Sequence, residues 1–163
     1  MMNHTQPTIE KATPADLEAL QQLLGRQFAE HDIALAGEAL AGAIAPVLDD
    51  ERLGFFLLAR LGGEIAGMAA VSFAWTLEHG GRSAWLDELY VRPRYRGRGL
   101  GTALLAGAER EILRAGCAAI DLEVDDAHAR AERLYRRTGF RPLPRSRWVK
   151  PLEREAADAP ADR

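Results

Sequence analysis

Cysteine is almost missing from this 163-residue chain, where Cys117 stands alone. A single cysteine makes no internal disulfide, and without a Cys-x-x-Cys pair there is no thiolate set for zinc. A reducing, cytoplasmic setting is the expectation. Aromatic residues are scarce at 7%, so the core must rest on aliphatic packing. No apolar run approaches the roughly 18 residues that a membrane-crossing helix needs. Met1 to Thr13 lacks both the basic segment and the apolar stretch of a secretion signal. A basic surplus is lacking too. Lys and Arg number 21 against 24 Asp and Glu, for a net charge of −3, which disfavours general nucleic-acid binding. No internal repeat is found.

What is present has the makeup of a globular domain, 47% hydrophobic and 28% charged. A chain of this length buries roughly 68–70% of its unfolded surface and needs no covalent staple. One domain is expected over residues 7–152. The charged, Ala-rich stretch 153–163 is expected to be a disordered tail.

Periodicity supplies the elements. Thr8–Ala12 alternates as a short strand. Thr13-Pro14 opens a helix, with Thr13 as cap and Pro14 at the first helical position. Leu17, Leu20, Leu23, Leu24 and Phe28 form its apolar stripe. Glu30-His31-Asp32 is a polar break before a second helix, Gly37–Leu48. Phe55–Ala59 and Glu64–Phe73 read as strands joined at Gly62-Gly63, and Ser83–Val91 as a third strand after Gly80-Gly81. Leu100, Leu104, Leu105, Ala108 and Ile112 repeat at helical spacing up to Gly116. Ala118–Val124 is the next strand and Ala127–Thr138 the last helix. Phe140–Leu143 and Arg147–Lys150 are two final strands. The sum is an α/β fold: a mixed, mainly antiparallel sheet of about seven strands flanked by four helices. One βαβ crossover makes Ser83–Val91 and Ala118–Val124 parallel.

The most informative segment is Val91–Gly101, V-R-P-R-Y-R-G-R-G-L-G, between a strand and a helix. Glycines at alternate positions let the backbone approach a ligand closely. Their N–H groups and those of the first helical turn make an anion site, suited to a pyrophosphate. Arg92, Arg94, Arg96 and Arg98 raise the local potential. The Walker pattern is absent, and G-x-G-x-x-G fails because Thr102 holds its third glycine position. Read without its flanks, the segment could be a solvated Arg/Gly turn. The strand before it and the helix after it argue for the anion site.

Arg96-Gly97-Arg98-Gly99-Leu100-Gly101 resembles the Arg/Gln-x-x-Gly-x-Gly/Ala loop of the GNAT acetyltransferase superfamily. Leu134-Tyr135-Arg136-Arg137-Thr138-Gly139-Phe140 is similar to that family's Leu-Tyr-x-x-x-Gly-Phe. The resemblance covers about residues 8 to 151 and implies the GNAT acyl-CoA transferase fold, with acetyl-CoA as co-substrate and no metal. Acetyl-CoA would lie between two splayed strands, Ser83–Val91 and Ala118–Val124, parted by a bulge near Leu89. The backbone of Leu89, Tyr90 and Val91 would hold the pantetheine arm. The amides of Gly97, Arg98, Gly99, Leu100, Gly101 and Thr102, beside Arg96, would hold the pyrophosphate. On the last helix, Ala131 matches the family pattern. His128 stands where an Asn is usual, and imidazole can still donate a hydrogen bond to the cofactor arm.

Acetyl transfer to an amine needs a base for the ammonium and a proton for the departing thiolate. Tyr135 is the candidate acid. Its spacing alone would make it a core aromatic facing the sheet, and it is the resemblance that implies the acid. Asp87 and Glu88, in W-L-D-E-L-Y-V, are the candidates for the base. That run is similar to one in spermidine/spermine and thialysine acetyltransferases, where the acid matching Asp87 accepts the proton and the one matching Glu88 lies near the amine. In a regular strand the two would face opposite ways, although a bulge changes this. Read without the resemblance, they are exposed strand carboxylates or partners of an arginine.

Glu30, His31 and Asp32, with Glu123, are candidates for lining the acceptor site. Asp121, Glu123, Asp125 and Asp126 would make that side acidic. Cys117 reads as a small buried apolar residue. The function expected is N-acetylation of a primary amine, on a small cationic molecule. Transfer to a protein N-terminus or lysine is the alternative, and a catalytically silent acyl-CoA-binding module is the alternative of another class. The partners expected are a small-molecule amine and a second copy in a homodimer, with no nucleic acid and no membrane.

Overall fold

Thr13 N–H and Oγ1 both reach the Asp16 carboxylate, at 2.9 and 3.0 Å. They close a turn over Pro14–Asp16 that launches the first helix where the sequence places it. The computed structural model describes residues 6–125 and 128–152. Its elements are β1 (Thr8–Lys11), α1 (Leu17–Glu30), α2 (Gly37–Asp49), β2 (Gly54–Leu61), β3 (Glu64–Thr76), β4 (Gly81–Val91), α3 (Leu100–Arg114), β5 (Ile120–Asp121) and α4 (Ala129–Arg137).

The strands form one sheet in the order β1-β2-β3-β4-β5. The first four are antiparallel, and β4 and β5 run parallel across the α3 crossover. Gly62 and Gly63, at φ 62° and 84°, close the β2–β3 hairpin. Their left-handed backbone matches the strand twist and is free of strain only for glycine.

Both faces of the sheet are covered. Phe55, Leu57 and Ala59 of β2 pack with Leu100, Leu104, Ala108 and Ile112 of α3. Phe56 and Leu58 pack with Leu20 and Leu23 of α1 and with Leu40 and Ile44 of α2. Burial on both faces explains why β2 is apolar residue after residue rather than alternating. Truncating a wholly buried member such as Leu104 to alanine would cost about 2–5 kcal/mol.

Five strands stand where about seven were expected. Phe140–Leu143 and Arg147–Lys150 form no strand. Phe140 packs on the Tyr135 ring, while Trp148 and Val149 are 91% and 83% exposed. Their apolar character meets no neighbouring strand. The expected Ala118–Val124 strand shrinks to Ile120–Asp121, because only these two residues pair with β4. Asp126, Ala127 and the tail 153–163 lie outside the described residues, in which no helix is long and apolar enough to cross a membrane.

Candidate active site

The short β5 is what opens the site. It pairs with β4 only at Ala84 and Trp85, so no strand lies beside Asp87 to Val91 on that side among the described residues. Arg92 N–H donates to Ala66 C=O at 2.9 Å. Antiparallel pairs alternate, so residues 90 and 92 turn their backbone groups toward β3, and residues 89 and 91 turn theirs to the open edge. Leu89 N–H and C=O and Val91 N–H therefore face the gap. Val91 C=O is already taken by Arg96 Nε at 2.8 Å. The Tyr90 backbone, expected to face the gap, is turned to β3 instead. Its side chain is buried in the α1 layer, with its hydroxyl donating to Glu30 at 2.7 Å.

The glycine loop stands at the end of β4. Gly97 and Gly99 have φ of 79° and 78°, and Gly99 caps α3. The amides of Gly97 through Thr102 have no hydrogen-bond partner among the described residues, and the first bonded amide is that of Ala103, to Gly99 C=O. Six free donors thus gather at the positive end of α3. Leu100 offers only its amide, since its side chain is core. A Cβ on Gly101 would lie 3.2 Å from Leu134, so glycine there brings α3 close to α4. Arg96 is occupied structurally, tying Val91 C=O to Glu30. Arg94 pairs with Glu64. Sequence reasoning passed over Arg130, which follows His128 by two residues. Its guanidinium lies 3.7 Å from where a Cβ on Gly97 would stand, and it has no carboxylate partner among the described residues. These free donors fit a pyrophosphate.

The acids meet on β4. Ala70 of β3 pairs with Glu88 while Val71 pairs with Leu86, which leaves Asp87 as the extra residue of a β-bulge. The bulge thus falls at Asp87, two residues before the expected Leu89. Beyond it Leu89 shares the α3 face with Leu86, and Glu88 joins Tyr90 on the α1 face. There Gln27 Nε2 of α1 donates to Glu88 Oε2 at 2.5 Å. Burial pushes the Glu88 carboxyl up to about 7, against the pull of that hydrogen bond, and the Asp87 charge adds to the rise. Asp87 keeps solvent access, yet crowding by protein holds its carboxyl above the usual range, opposed by Ser72 and Arg147. Tyr135 of α4 is pushed up to about 12, first by burial and then by the charge of Glu88. The phenol therefore keeps its proton at any pH where a protein works.

Asp87, Asp121, Glu123 and Tyr135 line one cleft of about 1170 Å³. Glu123 is tied to Arg147, and Asp121 to His79 at 2.7 Å. The acidity read from sequence is thus partly neutralised by arginines of the 140–152 segment. Glu30 is spent on Tyr90 and Arg96, chiefly the former, which hold its carboxyl below the usual range. His31 turns to the other side, its ring 4.7 Å from that of His128 at the start of α4. Asp32, at φ 56°, is exposed. Ala131 is half-buried on α4. A smaller cavity of about 330 Å³ includes Leu105, Ile112, Phe140 and Cys117. Burial raises the pKa of the Cys117 thiol, which disfavours its thiolate. Among the described residues, no three of His, Cys, Asp or Glu are grouped to hold a metal.

Comparison with known proteins gives a consistent answer. The sequence profile of the acetyltransferase (GNAT) family matches residues 17–140. The aminoglycoside N(6')-acetyltransferase type 1 of Stenotrophomonas maltophilia is 35% identical over 156 residues, which is 92% of this chain and 97% of that protein. The thialysine N-epsilon-acetyltransferase of Mus musculus is 36% identical over 72 residues, 44% of this chain and 40% of that one. Among solved structures, integron cassette protein HFX_CASS3 from the mobile metagenome of Cole Harbour Salt Marsh superposes with a TM-score of 0.80. It is 26% identical, with 90% of this chain and 91% of that one covered.

Proposed function

We propose, from the premise that this chain belongs to the GNAT acetyltransferase family and is an acetyl-CoA-dependent N-acetyltransferase, that its acceptor is a small cationic molecule carrying a primary amine. The observation that carries this reading is the cleft lined by both Asp87 and Tyr135, with the charge of neighbouring Glu88 adding to the rise of the Tyr135 pKa. The named relatives, on an aminoglycoside and on thialysine, support a small amine acceptor.

Acetyl-CoA supplies the reactive thioester. The amides of Gly97 to Thr102 and Arg130 hold its diphosphate, and Leu89 N–H and C=O with Val91 N–H align its arm along β4. Asp87, solvent-accessible at the bulge, holds the incoming ammonium. Glu88 takes one proton from that ammonium, so an N–H bond breaks and an O–H bond forms. The freed amine then attacks the carbonyl carbon, a C–N bond replaces the C–S bond, and Tyr135 gives its proton to the departing sulfur. The nitrogen's second proton returns to Tyr135 through solvent, and Glu88 releases its own to solvent. Once Glu88 is neutral, the charge that helped to raise the Tyr135 pKa is gone, so the base readies the acid.

The exposed Trp148, Val149 and Leu152 support a homodimer contact, and the lone buried Cys117 suits a cytoplasmic setting. The test is a panel of aminoglycosides, polyamines, amino acids and peptides, followed by release of free thiol. Small polycationic amines should give the highest kcat/KM. Turnover confined to peptides would shift the reading to a protein acceptor, and tight acetyl-CoA binding with no turnover would overturn it.

A further inference from the structure

Gln27 is 7% exposed, on α1 and away from every motif in the sequence. Its Nε2 donates to Glu88 Oε2 at 2.5 Å. Its Oε1 is buried with no partner. A buried amide usually satisfies both ends, and an orphaned acceptor is a cost to stability. This side chain leaves its own oxygen unsatisfied while aiming its donor at one carboxylate. An arrangement that spends stability in this way belongs to function rather than packing.

We propose that Gln27 is a positioning residue for the catalytic base, holding the Glu88 carboxylate in its charged form and turned to the reacting amine. This rests on the reading of Glu88 as base given above. The argument is electrostatic and geometric. A carboxylate half-removed from water loses the hydration that stabilises its charge. Few neighbours replace it. Asp87, beside it on β4, carries the same sign, and Tyr135 of α4 is a neutral phenol. Ala70, opposite on β3, is apolar, and from α1 comes only the Gln27 amide. Of the next charges along the α1 side, Glu30 and Arg96 are occupied with each other and with Tyr90, and Arg26 is exposed and acts on Tyr90. Among the described residues the Gln27 N–H is thus the one donor that favours the ionised base, and it also fixes which oxygen stays free for the amine.

The sign follows directly. Removing the donor removes a bond made to the charged form, so Glu88 should hold its proton to higher pH. The experiment compares pH profiles of kcat/KM for the wild type, Gln27→Met, Glu88→Gln and the double variant. Thermal melting and acetyl-CoA titration on each confirm folding. Methionine keeps length and volume while losing the donor. The acid limb should move up by about one pH unit in Gln27→Met, with acetyl-CoA affinity within twofold. Glu88→Gln should abolish the limb, and adding Gln27→Met to it should change nothing further. A folded Gln27→Met with its limb unmoved would overturn the role of Gln27 and leave Glu88 as base. An acid limb that survives Glu88→Gln would overturn the base assignment, and the role of Gln27 with it. If Gln27→Met does not fold, Gln27→Glu supplies a like charge instead. It should raise the limb further, and an unmoved limb there also overturns the proposal.

Discussion

Asp87 and Glu88 are chain neighbours in one strand, yet a bulge at Asp87 breaks the regular alternation between them. Asp87 is the unpaired residue of the bulge and lines one cleft with Ser72 of β3, which opposes the rise of its pKa. Glu88 then takes the orientation shared with Tyr90 and meets Gln27. Regular alternation would have sent one of them to the opposite layer. A single extra residue thus gathers two acids beside the place where β5 leaves β4.

Tyr135→Phe removes the phenol proton and little else, because the ring still packs against Phe140 at 5.6 Å. Turnover should fall at least about tenfold, the low end of general-acid contributions. Acetyl-CoA affinity by titration should stay the same. Full steady-state activity in this variant would remove Tyr135 from the chemistry.

The buried Glu88 carboxyl should cost stability. Its carboxyl titrates near 4.3 in an unfolded chain and at about 7 here. Between those values the folded state binds the extra proton, so stability falls as pH rises through that window. Glu88→Gln should therefore be more stable than wild type at pH 8, by up to about 3–4 kcal/mol at 1.36 kcal/mol per pH unit between about 4.3 and about 7. At pH 4 the two should differ little. Calorimetry at both values checks the crossover, and an equal difference at both would contradict it.

The sequence reading singles out the glycine loop, Tyr135 and the acid pair as candidates because each is local. Loop and acids are runs of adjacent residues, and the tyrosine sits in a short motif. It does not reach Gln27 or Arg130, which matter only through what the fold brings beside them. Gln27 meets Glu88 across 61 residues, and in sequence it is one polar residue on a leucine-rich helix. The same limit explains the missing strands. Arg147–Lys150 has strand-like apolar residues, but a strand exists only where another edge accepts it, and propensity is silent on that. The expected roles of Glu30 and Glu123 overlook their arginines, which come from distant segments.

Gly99→Ala separates backbone geometry from contact. Nothing lies within 4 Å of a Cβ built there, so the methyl group meets open space. The cost comes from φ of 78°, a left-handed conformation about 1–2 kcal/mol worse for alanine. A melting temperature lower by about 2–8 °C follows. If the loop relaxes to relieve the strain, the free amides shift and the Kd for acetyl-CoA should rise. Both come from one pair of melting and titration curves.

Arg130 offers the sharpest test of where the diphosphate lies. Its guanidinium sits over Gly97, beside amides that have no hydrogen-bond partner among the described residues. Arg94 and Arg96, in the loop itself, are committed to Glu64 and Glu30. Arg98, also in the loop, lies over the Tyr95 ring, so Arg130 adds a cation from α4 to what the loop itself offers. A charge-assisted hydrogen bond contributes about 1.5–3 kcal/mol, so Arg130→Ala should weaken acetyl-CoA binding about tenfold to a hundredfold. Turnover at saturation should hold, since Arg130 is remote from the Glu88–Tyr135 pair in role. Arg94→Ala should change affinity far less. Raising salt should weaken binding to the wild type more than to Arg130→Ala, because one screened contact is already gone. Equal losses in Arg94→Ala and Arg130→Ala would mean that the loop acts through its general positive field and not through a single guanidinium.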